Sequence, residues 1–276
     1  MKTGVILPFG DPRFASEVAR DAEQAGWDGF FVFEPLWGFD AWVSLAAAAM
    51  ATERIRLGTM LSPLSRMRPW KMASETMSLD HLSNGRAILS VGLGALDTGF
   101  EAFGEVTDRR ERAELLDEAL DIITGLWRGQ PFAYEGKHYR VAPTSFMPPP
   151  PPVQEPRIPI WVVGAWPSER SMRRVLRYDG LLPNVLDESG KPRLLTPDDV
   201  SAMRAYIEER HPDPERFDIV IEGETRGDDA GAAADEVGAL ADAGMTWWLE
   251  SRWAATPTDE DLRGFRDRVL QGPSRP

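Results

Sequence analysis

What most constrains this chain is an alternation of short apolar runs with helix-periodic segments, repeated eight times from one end to the other. Its clearest instance runs from Ile55 to Gly94. Ile55 to Leu61 is β-rich and ends in a polar, Pro-containing loop; Pro69 stands where the first turn of a helix tolerates it; Asn84-Gly85 supplies a helix stop; and Ala87 to Val91 forms the next buried strand. Val5 to Phe9 with Arg13 to Ala25 opens the series, and Asp28 to Phe33 with the Ala-rich Ala41 to Ala51 comes next. The third helix is Pro69 to Ser83 and the fourth Arg109 to Trp127. The rhythm then breaks from Phe132 to Pro156, an irregular excursion with a hairpin signal at Glu135-Gly136 and a proline run, Met147 to Val153, that reads as extended polyproline II. It resumes with Ile158 to Val163 and Ser168 to Tyr178, Asp179 to Pro183 and Pro197 to Arg210, Asp218 to Glu222 and Ala232 to Ala243, then Thr246 to Glu250 and Thr258 to Leu270. Strands that are apolar throughout bury both faces, as parallel strands between helices do. The pattern predicts an α/β fold, a single (β/α)8 TIM barrel over residues 1–276 with an irregular excursion between helix 4 and strand 5, rather than a doubly wound sheet.

Composition removes several function classes. A net charge of −13 opposes binding to nucleic acid or an anionic membrane, so an anionic ligand needs a local basic patch. The absence of cysteine removes thiolate nucleophiles, disulfides and cysteine-ligated metals, and suits a reducing compartment. No apolar run reaches the length of a membrane span, and Met1-Lys2 leads into the first strand without signal-peptide architecture, which predicts a cytoplasmic, soluble protein. None of the three histidines stands just after a strand: His81 ends a helix, His138 lies in the excursion and His211 precedes Pro212. Metal-hydrolase and Ser-His-Asp chemistry lose their main support.

In such a barrel the site is built from the residues just past the carboxyl end of each strand. Here these are Pro8, Phe9 and Gly10; Glu34, Pro35 and Trp37; Met60, Leu61 and Ser62; Gly92, Leu93 and Gly94; Gly164, Ala165 and Trp166; Pro183 and Asn184; Glu222 and Glu224; Glu250, Ser251 and Arg252. Phe9, Trp37, Phe100 and Trp166 are candidate walls for a planar apolar ligand, whereas Trp161, Trp247 and Trp248 belong to packing. Gly92-Leu93-Gly94 permits close backbone approach but lacks the remainder of a dinucleotide-binding fingerprint. Gly164 to Arg170 joins a strand end to a Ser168-capped helix start with arginines nearby, a phosphate candidate that could equally be an ordinary cap; Gly223 to Gly227 is its rival. Glu34, Glu222 and Glu250 are candidate proton-transfer or orienting groups. Apolar neighbours of Glu34 predict a raised pKa, and an ion pair with Arg66 or Arg68 would lower it instead. Two carboxylates drawn from Glu222, Glu224 and Glu250 would also suit a glycosidase, with Arg252 a partner for one of them at the substrate pocket, and a cofactor-binding protein without turnover is a third reading.

Several spaced motifs occur together: Ala22-Glu23-Gln24-Ala25-Gly26-Trp27-Asp28-Gly29-Phe30, Gly58-Thr59 in a strand, Arg66-Met67-Arg68-Pro69, Leu79-Asp80-His81-Leu82-Ser83-Asn84-Gly85-Arg86, Gly92-Leu93-Gly94, Glu101-Ala102-Phe103-Gly104, and Pro159 to Gly180. In these the chain resembles the luciferase-like monooxygenase family of flavin- and deazaflavin-dependent oxidoreductases. The resemblance implies reduced FMN or the deazaflavin coenzyme F-420 across the barrel mouth, its ring near Met60, Leu61, Ser62 and Gly92 to Gly94, and its phosphate near Gly164, Ala165, Trp166, Ser168 and Arg170. It also implies an irregular backbone, a non-prolyl cis peptide or bulge, within Thr59 to Ser62. The chain departs from its relatives in having Glu34 without an adjacent histidine, and Leu93 where some FMN-binding relatives carry arginine, which tilts the expectation toward the deazaflavin. A substrate lid would come from residues 131–157, 62–68 or 95–107. Helices 2 and 3, with Ala41 to Met50 and Met67, Met72 and Met77, are the expected homodimer face.

Overall fold

The computed structural model describes residues 1–144, 146–225, 230–253 and 258–274. In chain order the strands and helices are β1 (Lys2–Leu7), α1 (Pro12–Ala25), β2 (Gly29–Val32), α2 (Ala41–Ala51), β3 (Arg56–Thr59), β4 (Ser62–Pro63), α3 (Pro69–Leu82), β5 (Ala87–Gly92), α4 (Arg109–Trp127), β6 (Tyr134–Glu135), β7 (Arg140–Val141), β8 (Ile160–Trp166), α5 (Glu169–Val175), β9 (Gly180–Val185), α6 (Pro197–Arg210), β10 (Asp218–Gly223), α7 (Ala230–Asp242), β11 (Trp247–Ser251) and α8 (Asp259–Leu270). The parallel order β3-β2-β1-β11-β10-β9-β8-β5 closes on itself through Leu57↔Ala87 and Gly58↔Ile88. The result is the closed eight-stranded (β/α)8 barrel that the alternation predicts.

Successive side chains of a strand point to opposite faces, so each strand feeds two cores. Val5, Phe30, Leu57, Leu89, Val162 and Ile219 pack outward against the helices, and Ile6, Phe31, Ile88, Trp161, Val220 and Trp247 fill the lumen. Phe31, Trp161 and Trp247 meet there with ring centroids 5.2 to 6.2 Å apart. Gly29 makes room for them, since a Cβ at that position would lie 2.7 Å from the Phe31 ring and 2.9 Å from that of Trp247. The tryptophans assigned to packing, Trp161, Trp247 and Trp248, are all buried.

At the strand carboxyl ends, side-chain caps stop the loops and start the helices. Asp11, Asp40 and Asp108 each accept a backbone N–H, from Phe14, Val43 and Glu111, at 2.8 Å. The opposite end is fastened by buried charges. Glu23 accepts from the backbone N–H groups of Glu53, Arg54 and Ile55; burial alone would raise its pKa, but these donors together with Arg54 outweigh it and hold the carboxyl below its ordinary range. Arg86 donates to the carbonyls of Ser83, Ile55, Ala49 and Thr52 and to the Thr52 hydroxyl, all at 2.7 to 3.0 Å. It thereby ties the ends of α2 and α3 to the start of β3.

Among the described residues, none of the excursion lines a cavity at the mouth. Its hairpin, β6 with β7, is held along α4 by Glu118, which accepts from the backbone N–H of Lys137, His138 and Tyr139. Its return is held by Asp80 of α3, whose carboxylate accepts from Val153 and Gln154 N–H and from the Gln154 amide at 2.7 to 3.1 Å. Gln154 also donates to the Ala87 carbonyl, at the amino end of β5. The hairpin and the return are thus tied to the outside of α4 and α3, and the chain reaches the amino end of β8 with none of the described residues of 131–157 lining the mouth where a lid was expected.

Arg86 has no replacement for its set of donors: Arg86→Ala should lower unfolding free energy by about 3 kcal/mol, because several buried carbonyls lose a charged donor. Urea denaturation of the two proteins measures this, and Arg86→Lys should recover only part of the loss.

Candidate functional site

Above the aromatic floor the described residues outline two lobes that share Phe33, Ala95, Thr98 and Trp253. The rings of Phe33 and Trp253 meet edge-on at 5.6 Å and form the divide. The inner lobe, about 540 Å³, is bounded by Met60, Leu61, Leu93 and Gly94 on one side and by Val163, Ala165, Asn184 and Glu222 on the other. The outer lobe, about 920 Å³, is bounded by Pro8, Phe9, Leu36, Trp37, Phe39 and Phe103.

Strand parity explains which expected residues reach the inner lobe. Ala165 faces inward, whereas Gly164 and Trp166 alternate with it; Gly164 abuts Val175 and Met172 of α5, and Trp166 stacks edge-on against Tyr206 of α6. Ser168 begins α5 without a side-chain cap bond, and Ser168 and Arg170 are exposed outside the lining. Gly92 packs on Val163 and Leu61 beneath the lining. Gly94 has φ of +77°, and a Cβ there would meet Phe100 at 2.7 Å and Pro63 at 2.9 Å, so the turn after β5 requires glycine. Phe100 is buried below that turn instead of forming a wall, while Phe9 and Trp37 line the outer lobe as expected. Residues 226 and 227 of the rival phosphate segment lie outside the described residues.

Of the arginines expected near the phosphate candidate Arg174 reaches the inner lobe, and two more cations come from α4, which the strand-end reading did not reach. Arg109 and Arg112 of α4 and Ser171 and Arg174 of α5 line the inner lobe. Arg112 is buried and donates from Nη1 to the carbonyls of Leu93 and Gly94 at 2.9 and 3.0 Å, with its guanidinium 5.6 Å from the centre of the Phe100 ring. Its buried Nε has no hydrogen-bond partner in the protein. Arg174 is held by Asp117 of α4, and Ser171 Oγ accepts from Ala165 N–H at 2.9 Å. A signal for Arg112 was present in the sequence: it opens the stripe Leu115, Leu116, Ala119, Leu120, Ile123, a charge on the apolar face of a helix.

Glu34 is buried, with Oε1 accepting from Trp42 Nε1 at 3.2 Å and Oε2 from the Ser62 hydroxyl, which itself lies 2.8 Å from Thr59 Oγ1. Burial is the largest influence and pushes its pKa up to about 7, against the Ser62 hydrogen bond, the Arg66 charge and the Trp42 N–H. Arg66 donates to the Glu34 backbone carbonyl at 2.8 Å rather than to its carboxylate. The peptide between Met60 and Leu61, just before Ser62, is cis, the feature the resemblance implied within Thr59 to Ser62.

The other carboxylates separate. In the β10–β11 register Glu222 pairs with Leu249 and Gly223 with Glu250, so Glu222 faces the lumen and Glu250 faces the helices. Glu222 is exposed at the mouth, yet desolvation of its carboxyl by the surrounding wall raises its pKa against the hydrogen bond from Trp253. Glu250 accepts from Thr225 N–H at 2.8 Å, Thr225 Oγ1 at 2.7 Å and Trp248 Nε1 at 3.2 Å, and pairs with Arg268 at 3.3 Å. Glu224 pairs with Arg252 at 2.9 Å, and neither lines a lobe. The carboxylate pair of the glycosidase reading is thus not assembled. His81, His138 and His211 bind the Pro151 carbonyl, Glu114 and the Tyr178 carbonyl, away from the lobes.

The family model described as luciferase-like monooxygenase matches residues 1–272. A Mycobacterium tuberculosis protein with a provisional name as a coenzyme F420-dependent oxidoreductase is 35% identical over 152 residues, 52% of this chain and 42% of that protein. The F420-dependent glucose-6-phosphate dehydrogenase of Nocardia farcinica is 34% identical over 186 residues, 62% of this chain and 51% of its own. The matched stretch thus spans about half the length of these curated relatives. Among solved structures, a type II Baeyer–Villiger monooxygenase of Pseudomonas putida in complex with FMN has the same fold, with a TM-score of 0.67, 17% identity, and coverage of 98% of this chain and 96% of that one. Members of the matching family are F420- or FMN-dependent oxidoreductases and monooxygenases. With the closed barrel and the match along nearly its whole length, the chain belongs to the luciferase-like monooxygenase family.

Proposed function

We propose that this protein is an oxidoreductase that uses FMN or the deazaflavin F-420, with the deazaflavin the better fit, on a small organic substrate by hydride transfer or oxygen insertion. The observation that carries the reading is the inner lobe itself. It joins apolar walls, Met60, Leu61 and Val163, to a cationic end formed by Arg109, Arg112 and Arg174. The unpartnered buried Nε of Arg112 fits a phosphate oxygen, which would supply the acceptor that the protein does not. Leu93 between two glycines and the F420-dependent names of curated relatives support the deazaflavin.

The bound cofactor supplies the two-electron chemistry. The chain's residues bind, orient and exclude water. Arg112 fixes the turn Leu93-Gly94 through two carbonyls, so that the turn and the cationic end keep one geometry. Met60 and Leu61 close one side against solvent. Glu34, its carboxyl hydrogen-bonded to the Ser62 hydroxyl, can hold or release a proton near neutral pH, and Glu222 with Trp253 presents a second carboxyl from the facing strand. Cytoplasmic residence is the accompanying proposal, supported by the absence of cysteine; among the described residues no helix is long and apolar enough to cross a membrane.

Absorbance after reconstitution tests the function: the protein should retain the deazaflavin or FMN through gel filtration, and retention of neither would overturn the reading. Glu34→Gln should retain the cofactor while losing about 10²-fold in turnover on any substrate the reconstituted wild type accepts. Normal turnover would remove Glu34 from proton transfer.

Glu34 also sets a pH dependence. Its carboxyl stays protonated in the fold while the unfolded chain ionises, so stability falls as pH rises from the ordinary 4.5 through about 7. Wild type should lose on the order of 3 kcal/mol relative to Glu34→Gln across this interval, read as diverging urea midpoints.

The proposed homodimer uses α2 and α3, but through Val43, Met50, Trp70 and Leu82, which are exposed. Met72 is buried and Met67 and Met77 pack on the core, which corrects the expected methionine surface. Light scattering at micromolar concentration should give twice the chain mass, and Val43→Glu with Met50→Glu should give the monomer.

A further inference from the structure

We propose that the outer lobe is the substrate site and that its substrate is an uncharged, apolar ring compound rather than a phosphorylated or otherwise anionic one. This rests on the assignment of the inner lobe to the cofactor and goes beyond it.

Charge is divided between the two lobes. Among the described residues, Arg109, Arg112 and Arg174 line the inner lobe and no arginine or lysine lines the outer one, where Asp97 is the ionisable side chain. An anion placed there would meet a carboxylate, in a protein of net charge −13, with no cation among the described lining residues to compensate its lost hydration. A neutral molecule meets no such cost.

The walls are aromatic and open. Trp37 is 82% exposed, Phe39 60%, Phe103 59% and Trp253 49%, large apolar side chains gathered around one concavity where a folded chain ordinarily hides them. They come from three separate loops, after β2, β5 and β11, so the cluster is built by the tertiary structure and not by one greasy segment. Hydroxyls of Ser44 and Thr98 leave room for one or two polar atoms on the ligand. A cavity of about 920 Å³ suits a molecule of several fused or linked rings, within the ordinary size of small-ligand sites. Phe33, Ala95, Thr98 and Trp253 border both lobes, so an occupant of the outer one lies against the boundary of the cofactor's.

An outer lobe with no cation among its described lining residues separates this chain from the relative named for glucose 6-phosphate, whose substrate carries a dianionic phosphate. The test uses 2-naphthol and glucose 6-phosphate as probes, in calorimetric titrations of the protein carrying whichever cofactor it retains. We expect saturable 2-naphthol binding at one site per chain, unchanged between low and high salt, and no binding of glucose 6-phosphate. Trp37→Ala and Phe103→Ala, both at exposed positions, should each weaken 2-naphthol about tenfold while leaving cofactor absorbance and thermal unfolding unchanged. Glucose 6-phosphate binding as tightly as 2-naphthol, or 2-naphthol binding indifferent to both substitutions, would overturn the proposal. Failure to retain either cofactor is read separately by absorbance and would strike the function proposed above, not the chemistry of this lobe, which the same titrations on the apo-protein still decide.

Discussion

The structure depends on one constraint: in a closed ring of parallel strands every side chain must face either the lumen or the helix layer, and the assignment alternates without exception for as long as the strand stays regular. Closure through the β3–β5 pairing leaves no edge at which the alternation could slip. Ile6, Phe31, Ile88, Trp161, Val220 and Trp247 therefore form a solid floor, and the next inward-facing residues at the carboxyl ends become the wall of the site. The same parity sends Gly164, Trp166 and Glu250 to the helices, and Ala165 and Glu222 to the mouth.

Binding and stability occupy opposite ends of the barrel. At the amino ends of the strands, Arg86, Glu23 and Asp80 are saturated with backbone partners, and they fix the turns between helix and strand. At the carboxyl ends, charged and polar groups are left with capacity to spare: the Arg112 Nε has no partner, Glu34 is held near neutral pKa, and large aromatic side chains stand open. Unused capacity of this kind costs stability, and a bound ligand is its natural compensation. The excursion joins the first group, since Asp80 and Glu118 bind it to the outside of α3 and α4.

Electrostatics then sorts the mouth. The chain is strongly acidic, so an anion can be held only where arginines are gathered and water is excluded. α4 and α5 supply that place by converging on the inner lobe, with Asp117 holding Arg174 beside it. Among the described residues the outer lobe receives no cation and retains its aromatic rings, and the two environments meet across Phe33 and Trp253.

The sequence by itself determined the barrel, because eight strand and helix periods are local patterns, and its caps and stops, such as Pro69 and Asn84-Gly85, act within a few residues. It also determined the Met60 to Leu61 region and the turn at Gly94 as parts of the wall, since those positions lie at strand ends. Only the tertiary structure decided which carboxylate would face a ligand. Glu222 and Glu250 read alike in sequence, and the inter-strand register turned one inward and the other toward Arg268. The cationic end shows the same limit. Arg109 and Arg112 stand on α4, away from any strand-end motif, and meet Arg174 of α5 at the inner lobe, where Asp117 of α4 holds it, a juxtaposition that no local window contains.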